Sequence, residues 1–189
     1  LRGKKIICPC DTKESNIYKY LKDCYCDVKC DSKEWRNIDY SKYDLVITVD
    51  NGISSAEEVK FINSFGRDVI ITDHHESPEE QPPAFAIINP KAMNSLDEKL
   101  TPTQIEYLTS LAGVGVAFKL AQGVLEHYNK LEYSYELLPY VAVGTVADIV
   151  PLIGENRYFV TKGLELIAQG KHYGLKRMLD AAGVSTENG

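Results

Sequence analysis

The chain has 189 residues, 44% apolar and 25% charged, which is enough for one well-buried core in a single domain with room for a small helical appendage. A net charge of -6 and a pI near 5.3 supply no global basic field, which counts modestly against a stand-alone nucleic-acid binder. No apolar stretch approaches the ~20 residues of a membrane span, and Leu1-Arg2-Gly3-Lys4-Lys5 leads into a strand rather than a signal peptide. A cytoplasmic location without a membrane partner is expected, and the initial Leu is expected of a fragment.

In chain order, the pattern predicts a strand at Lys5 to Cys10, a helix at about Lys13 to Lys22 and a strand at Asp27 to Cys30. Strand Asp44 to Asp50 follows a polar stretch. A helix from Ser54 to about Phe65 comes next, with Ser54 as its N-cap and Glu57 as capping-box partner. Strand Asp68 to Asp73 and, after the Pro-rich loop Ser77 to Pro83, a short strand Phe85 to Ile88 complete the first half. Beyond Asn89-Pro90, apolar residues recur at helical spacing through Gly113 to Tyr128, Tyr135 to Val150 and Arg157 to Ile167. The expectation is an α/β fold: a parallel sheet flanked by helices over residues 1–90, and a mainly helical part over 91–189.

All five cysteines, Cys8, Cys10, Cys24, Cys26 and Cys30, fall in the first thirty residues. They read as small buried hydrophobes on two strands, since no C-x-x-C spacing with a second matching pair is present. Gly113-Val114-Gly115 begins like a dinucleotide fingerprint but lacks the final Gly or Ala and a preceding strand. Close backbone packing at a helix start is the reading it supports.

The chemistry is expected where apolar strands end in polar groups. Leu45 to Val49 runs into Asp50-Asn51-Gly52, and Val69 to Thr72 runs into Asp73-His74-His75. Neighbouring parallel strands bring such ends to one carboxyl edge, and the helix that follows Asp50 points its positive dipole end there. An Asp at a strand end also serves as an ordinary turn starter, but two adjacent imidazoles behind a carboxylate are hard to justify by packing, because successive strand residues face opposite sides. Asp148 is the only charge between Glu136 and Glu155, which predicts a carboxylate that is either paired or on a metal. Carboxylates with imidazoles suit a hard or borderline divalent cation, and such a cation suits phosphate-ester hydrolysis.

The blocks Ile47 to Ser55, Val69 to His75, Ala86 to Lys91, Leu111 to Leu120 and Gly144 to Leu152 resemble the Asp-His-His (DHH) phosphoesterase family and, within it, the RecJ-like single-strand-specific exonucleases. The resemblance covers about Lys42 to Ile167. It implies manganese or magnesium, two ions in the family, activating a water for attack on phosphorus, with single-stranded DNA or an oligonucleotide as substrate. Carried over residue by residue, it implies Asp50, His74 and Asp148 as metal ligands, His75 as the group at the scissile phosphate or leaving group, and Asp73 as the partner that holds an imidazole. Where the family places an Asp-x-Asp-x-Asp-Gly block, this chain has Ile6-Ile7-Cys8-Pro9-Cys10-Asp11-Thr12-Lys13-Glu14-Ser15, so only Asp11 and Glu14 remain as substitutes for the other metal's ligands. The resemblance also implies a second, substrate-gripping domain, which is expected to be absent from these residues. The implied function is a 5′-to-3′ exonuclease of DNA repair and recombination. Two alternatives stand beside it: a catalytically impaired relative that works with a protein partner, and a small-molecule or oligonucleotide phosphodiesterase of the same superfamily.

Overall fold

The computed structural model describes residues 6–9, 26–29, 34–92, 100–170 and 172–183. Among them lie the strands β1 (Ile6–Pro9), β2 (Cys26–Lys29), β3 (Leu45–Val49), β4 (Asp68–Thr72) and β5 (Ala86–Ile88). The expected helix at 13–22, the side chains of the five cysteines, and Asp11 with Glu14 lie outside the described residues. β1 pairs in parallel with β2, Ile6 opposite Cys26. β3, β4 and β5 form a parallel sheet in that order, with Val46 opposite Val69 and Ile71 opposite Ile87.

The central strand carries the sheet's packing. Val69 and Ile71 are two residues apart and therefore share a face, and both are fully buried. Helix α1 (Ala56–Asn63) crosses from β3 to β4 and sets Val59 and Ile62 into the same apolar cluster, which Tyr40 closes. Burying each such aliphatic side chain contributes about 1.5–3 kcal/mol, enough to fix strand register, because a one-residue slip would turn Val69 and Ile71 outward. Edge-to-face contacts of Phe61 with Trp35 and Phe65, both at 5.2 Å, seal the outer end of this cluster.

After β5 the described elements are helical: α2 (Pro102–Thr109), α3 (Gly113–His127), a 3-10 segment Leu131–Leu137, α4 (Leu138–Ala147), α5 (Gly154–Ala168) and α6 (Tyr173–Ala181). Leu111, Val116, Phe118, Leu138, Val141 and Phe159 form their core, against which Ile88 of β5 packs. Gly163 lets α5 lie directly on α4, for a Cβ there would overlap the Ala142 methyl and the Leu138 carbonyl. No single helix among the described residues is long and apolar enough to cross a membrane.

Three local expectations are corrected. α1 begins at Ala56 with Ser55, not Ser54, at the N-cap, and no side-chain cap bond forms. Ser54 is instead consumed by the turn that ends when Ser55 N–H reaches the Gly52 carbonyl at 3.0 Å. The helix expected to run to Val150 stops at Ala147, because Ile149 turns left-handed at φ 57° and Val150 precedes a proline, which disfavours helical backbone. α2 and α6 were not anticipated by apolar spacing. α2 nonetheless opens with a full capping box, Thr101 paired with Gln104, and with Pro102 in its first turn.

Candidate metal centre

β3 and β4 end side by side, Val49 opposite Thr72, so whatever follows them emerges at one edge of the sheet. Asp50 extends the ladder, its N–H donating to the Thr72 carbonyl at 2.9 Å, and then turns away at φ 62°, a left-handed conformation that Asp tolerates. Thr48 Oγ1 donates to the Asn51 carbonyl at 2.7 Å and Asn51 Nδ2 to the Val49 carbonyl at 3.0 Å, which holds the turn. Gly52 is obligatory there: its φ is 111°, and an added Cβ would stand 2.6 Å from Thr48 Oγ1.

Asp73 is 1% exposed and accepts four hydrogen bonds. Its Oδ2 takes the Ile53 N–H at 2.9 Å, and its Oδ1 takes the His74 N–H at 2.8 Å, the His75 N–H at 3.2 Å and His75 Nδ1 at 2.7 Å. The backbone therefore curls around one carboxylate after the strand has ended. The two imidazoles, expected to face opposite sides of a strand, instead lie together with ring centroids 4.5 Å apart. Asn89, 4% exposed, fastens this turn from β5's end: its Nδ2 donates to the His75 carbonyl at 2.9 Å.

The electrostatics follow from these contacts. Burial pushes the Asp73 carboxyl up, but hydrogen bonds from Ile53, His75 and His74 together outweigh it and hold the group below the ordinary carboxylate value. An ionised Asp73 accepts only, so the proton between it and His75 belongs to Nδ1, and the bond raises the His75 imidazole above its ordinary value against opposing desolvation. His75 Nε2 is then the nitrogen left for a ligand. The Asp50 carboxyl is pushed up, first by burial, with the Asp148 charge adding to the rise and His74 opposing it.

His74 Nε2 stands 3.2 Å from Asp50 Oδ1 and 3.5 Å from Asp148 Oδ2. Asp148 caps α4, and because the chain leaves the helix there its side chain is 33% exposed despite the apolar run around it. Donor atoms of Asp50, His74 and His75 all lie within 4.8 Å of one another. Carboxylate oxygens combined with imidazole nitrogen fit a hard or borderline divalent cation, and two carboxylates offset its charge.

Gly113 is the residue whose part at this site sequence reasoning did not foresee. Close backbone packing at the start of α3 was expected, but its partner is Asp50 itself: a Cβ on Gly113 would overlap the Asp50 carboxylate. The signal was the Gly-x-Gly at a helix start, which flags a close approach without naming what approaches.

A sequence model described as "DHH family, N-terminal domain" matches residues 7–145. The single-stranded-DNA-specific exonuclease RecJ of Bacillus subtilis (strain 168) is 42% identical over 149 residues, which make up 79% of this chain and 17% of that protein. The RecJ of Escherichia coli (strain K12) is also 42% identical over 149 residues, covering 73% of this chain and 24% of its own length. The chain thus spans about a fifth of the curated relatives it matches. The crystal structure of RecJ from Thermus thermophilus in complex with Mn2+ superimposes with a TM-score of 0.68 at 30% identity, over 98% of this chain and 28% of that one. A crystal structure of exonuclease RecJ bound to manganese gives 0.69 at 28% identity, over 98% of this chain and 49% of that one.

Proposed function

Because the chain belongs to the DHH family through its N-terminal domain, we propose that it is the metal-bearing part of a RecJ-like exonuclease that hydrolyses phosphodiester bonds of single-stranded DNA in the 5′-to-3′ direction. The observation that carries this reading is the meeting of Asp50 and Asp148 at His74 Nε2, 3.2 and 3.5 Å away, at the carboxyl edge of the sheet. In this reading Asp50, His74 and Asp148 hold Mn2+ or Mg2+. The bound cation supplies Lewis acidity and a water of lowered pKa.

The chain's own groups do the rest. Asp73 fixes the His75 proton on Nδ1 and turns Nε2 outward, where it meets a phosphate oxygen or the leaving oxygen. The raised pKa of His75 keeps the imidazole a proton donor to higher pH, which suits protonation of a departing alkoxide. The acidic net charge is no obstacle, since the cation reverses the local field. Grip on the strand falls to chain that the relatives possess beyond the matched portion or to a protein partner, and a cytoplasmic setting goes with the reading.

The test is release of nucleotides from end-labelled single-stranded DNA in MnCl2. We expect release by the wild-type chain and a fall of roughly three orders of magnitude or more in Asp50→Asn and His74→Ala, as for loss of a group that acts in the transition state. Absence of release across a range of metals and substrate lengths would sink the catalytic reading. A second reading, a relative impaired in catalysis, is favoured by the Ile6 to Ser15 block, which holds only Asp11 and Glu14 as acids. Calorimetry separates the two: the impaired reading predicts a single manganese ion per chain, and two tight ions would exclude it.

A further inference from the structure

Asn156 lies in the first turn of α5, is 1% exposed, and among the described residues makes its hydrogen bonds away from the candidate ligands. Its Nδ2 donates to two backbone carbonyls, Ser110 at 2.6 Å and Pro151 at 3.0 Å. Both acceptors are carbonyl oxygens, so the amide can face them only with its nitrogen. Its Oδ1 is buried with no hydrogen-bond partner among the described residues, which is unfavourable and which an apolar side chain of similar size would avoid. What asparagine adds at this position is the clamp on two carbonyls.

The two carbonyls belong to the segments that build the metal centre. Ser110 closes α2 and stands three residues before Gly113, against which the Asp50 carboxylate rests. Pro151 stands three residues after Asp148. The contacts form a closed circuit: Asn156 to Ser110, along the chain to Gly113, across to Asp50, to His74, to Asp148, and along the chain through Pro151 back to Asn156. Core packing holds the Asp148 arm of this circuit only in part: Ile149 is left-handed and 89% exposed and Leu152 is 47% exposed, while Val150 and Ile153 are half-buried.

We infer that Asn156 is a positioning residue for the metal centre, tying the Asp148 loop to the Gly113 turn and so setting the separation of the Asp148 and Asp50 carboxylates. The metal part of this inference rests on the function proposed above. Partners that orient ligands without touching the metal typically account for roughly 10- to 100-fold in affinity.

The experiment compares the whole chain as wild type, Asn156→Asp and Ile62→Ala, the last a destabilised control in the separate apolar cluster of the sheet. Manganese titration is expected to show a roughly 10- to 100-fold weaker dissociation constant in Asn156→Asp and a wild-type value in Ile62→Ala at a similar melting temperature. Hydrogen exchange in the metal-free protein is expected to show residues 111–114 and 148–152 opening together in Asn156→Asp alone. Unchanged manganese affinity in Asn156→Asp, or exchange that is unchanged in the two segments, overturns the inference. If wild type takes up no manganese, the proposed function fails while the exchange comparison still decides whether the brace exists. Should Asn156→Asp not fold, Asn156→Ser, which keeps one donor, carries both measurements with the same criteria.

Discussion

At Gly113 a single missing methyl group decides where the Asp50 carboxylate rests. Gly113→Ala is expected to cost about 1–3 kcal/mol of stability, as for other overpacked sites, and to weaken manganese binding at least tenfold by turning Asp50 away from His74. A thermal melt and a manganese titration on the same sample check both; wild-type affinity would show that the carboxylate has another rotamer to occupy. The acids and imidazoles at Asp50, Asp73 to His75 and Asp148 were legible in the sequence, because charges that interrupt or terminate apolar runs stand out in one dimension. Their grouping came from the family resemblance and not from the pattern of apolar runs. That Asp73 gathers His75 and the Ile53 N–H while His74 faces Asp50 depends on a backbone curl after Thr72 that no periodicity encodes.

Between helices, α4 and α5 fit closely where Gly163 meets Ala142 and the Leu138 carbonyl. Gly163→Ala gains intrinsic helix propensity of about 1 kcal/mol but must displace backbone, so a net loss of about 1–3 kcal/mol is expected in denaturant unfolding. A stabilised variant would mean that the crossing opens freely. The strands of the sheet were legible because β-branched runs bounded by turn residues have few other readings, and β3, β4 and β5 fall within a residue or two of expectation. Helix ends were less so. Two consecutive serines before α1 offer two caps to a reader, and only the preceding turn chooses between them. The eight residues of α2 are too few for a clear apolar period, although Thr101-Pro102-x-Gln104 carried a start signal of its own.

Across the molecule, one apolar cluster belongs to the sheet and α1 and another to α3, α4 and α5. The candidate metal centre draws Asp50 and His74 from the first and Asp148 from the second. A cation held there joins the two halves, and binding to the folded state alone stabilises it by about 2.7 kcal/mol at a metal concentration 100 times the dissociation constant. The melting temperature is therefore expected to rise with manganese in the wild type and to rise far less in Asp148→Asn, measured by scanning calorimetry with and without chelator. An equal rise in both would place the binding elsewhere. The alternation of strand and helix made the α/β class legible from the sequence, whereas the joining of the two halves at Asp148 rests on contacts between residues far apart in the chain.

The left-handed backbone at Asp50 also governs how substitutions there are to be interpreted. Alanine would remove the carboxylate and add about 1 kcal/mol of backbone tension in the same step, so its effect blends two causes. Asparagine tolerates that conformation as aspartate does and keeps the side-chain shape, which isolates the lost negative charge. Glycine relaxes the tension while deleting the group. Taken together, the three replacements separate the electrical contribution of position 50 from its conformational one.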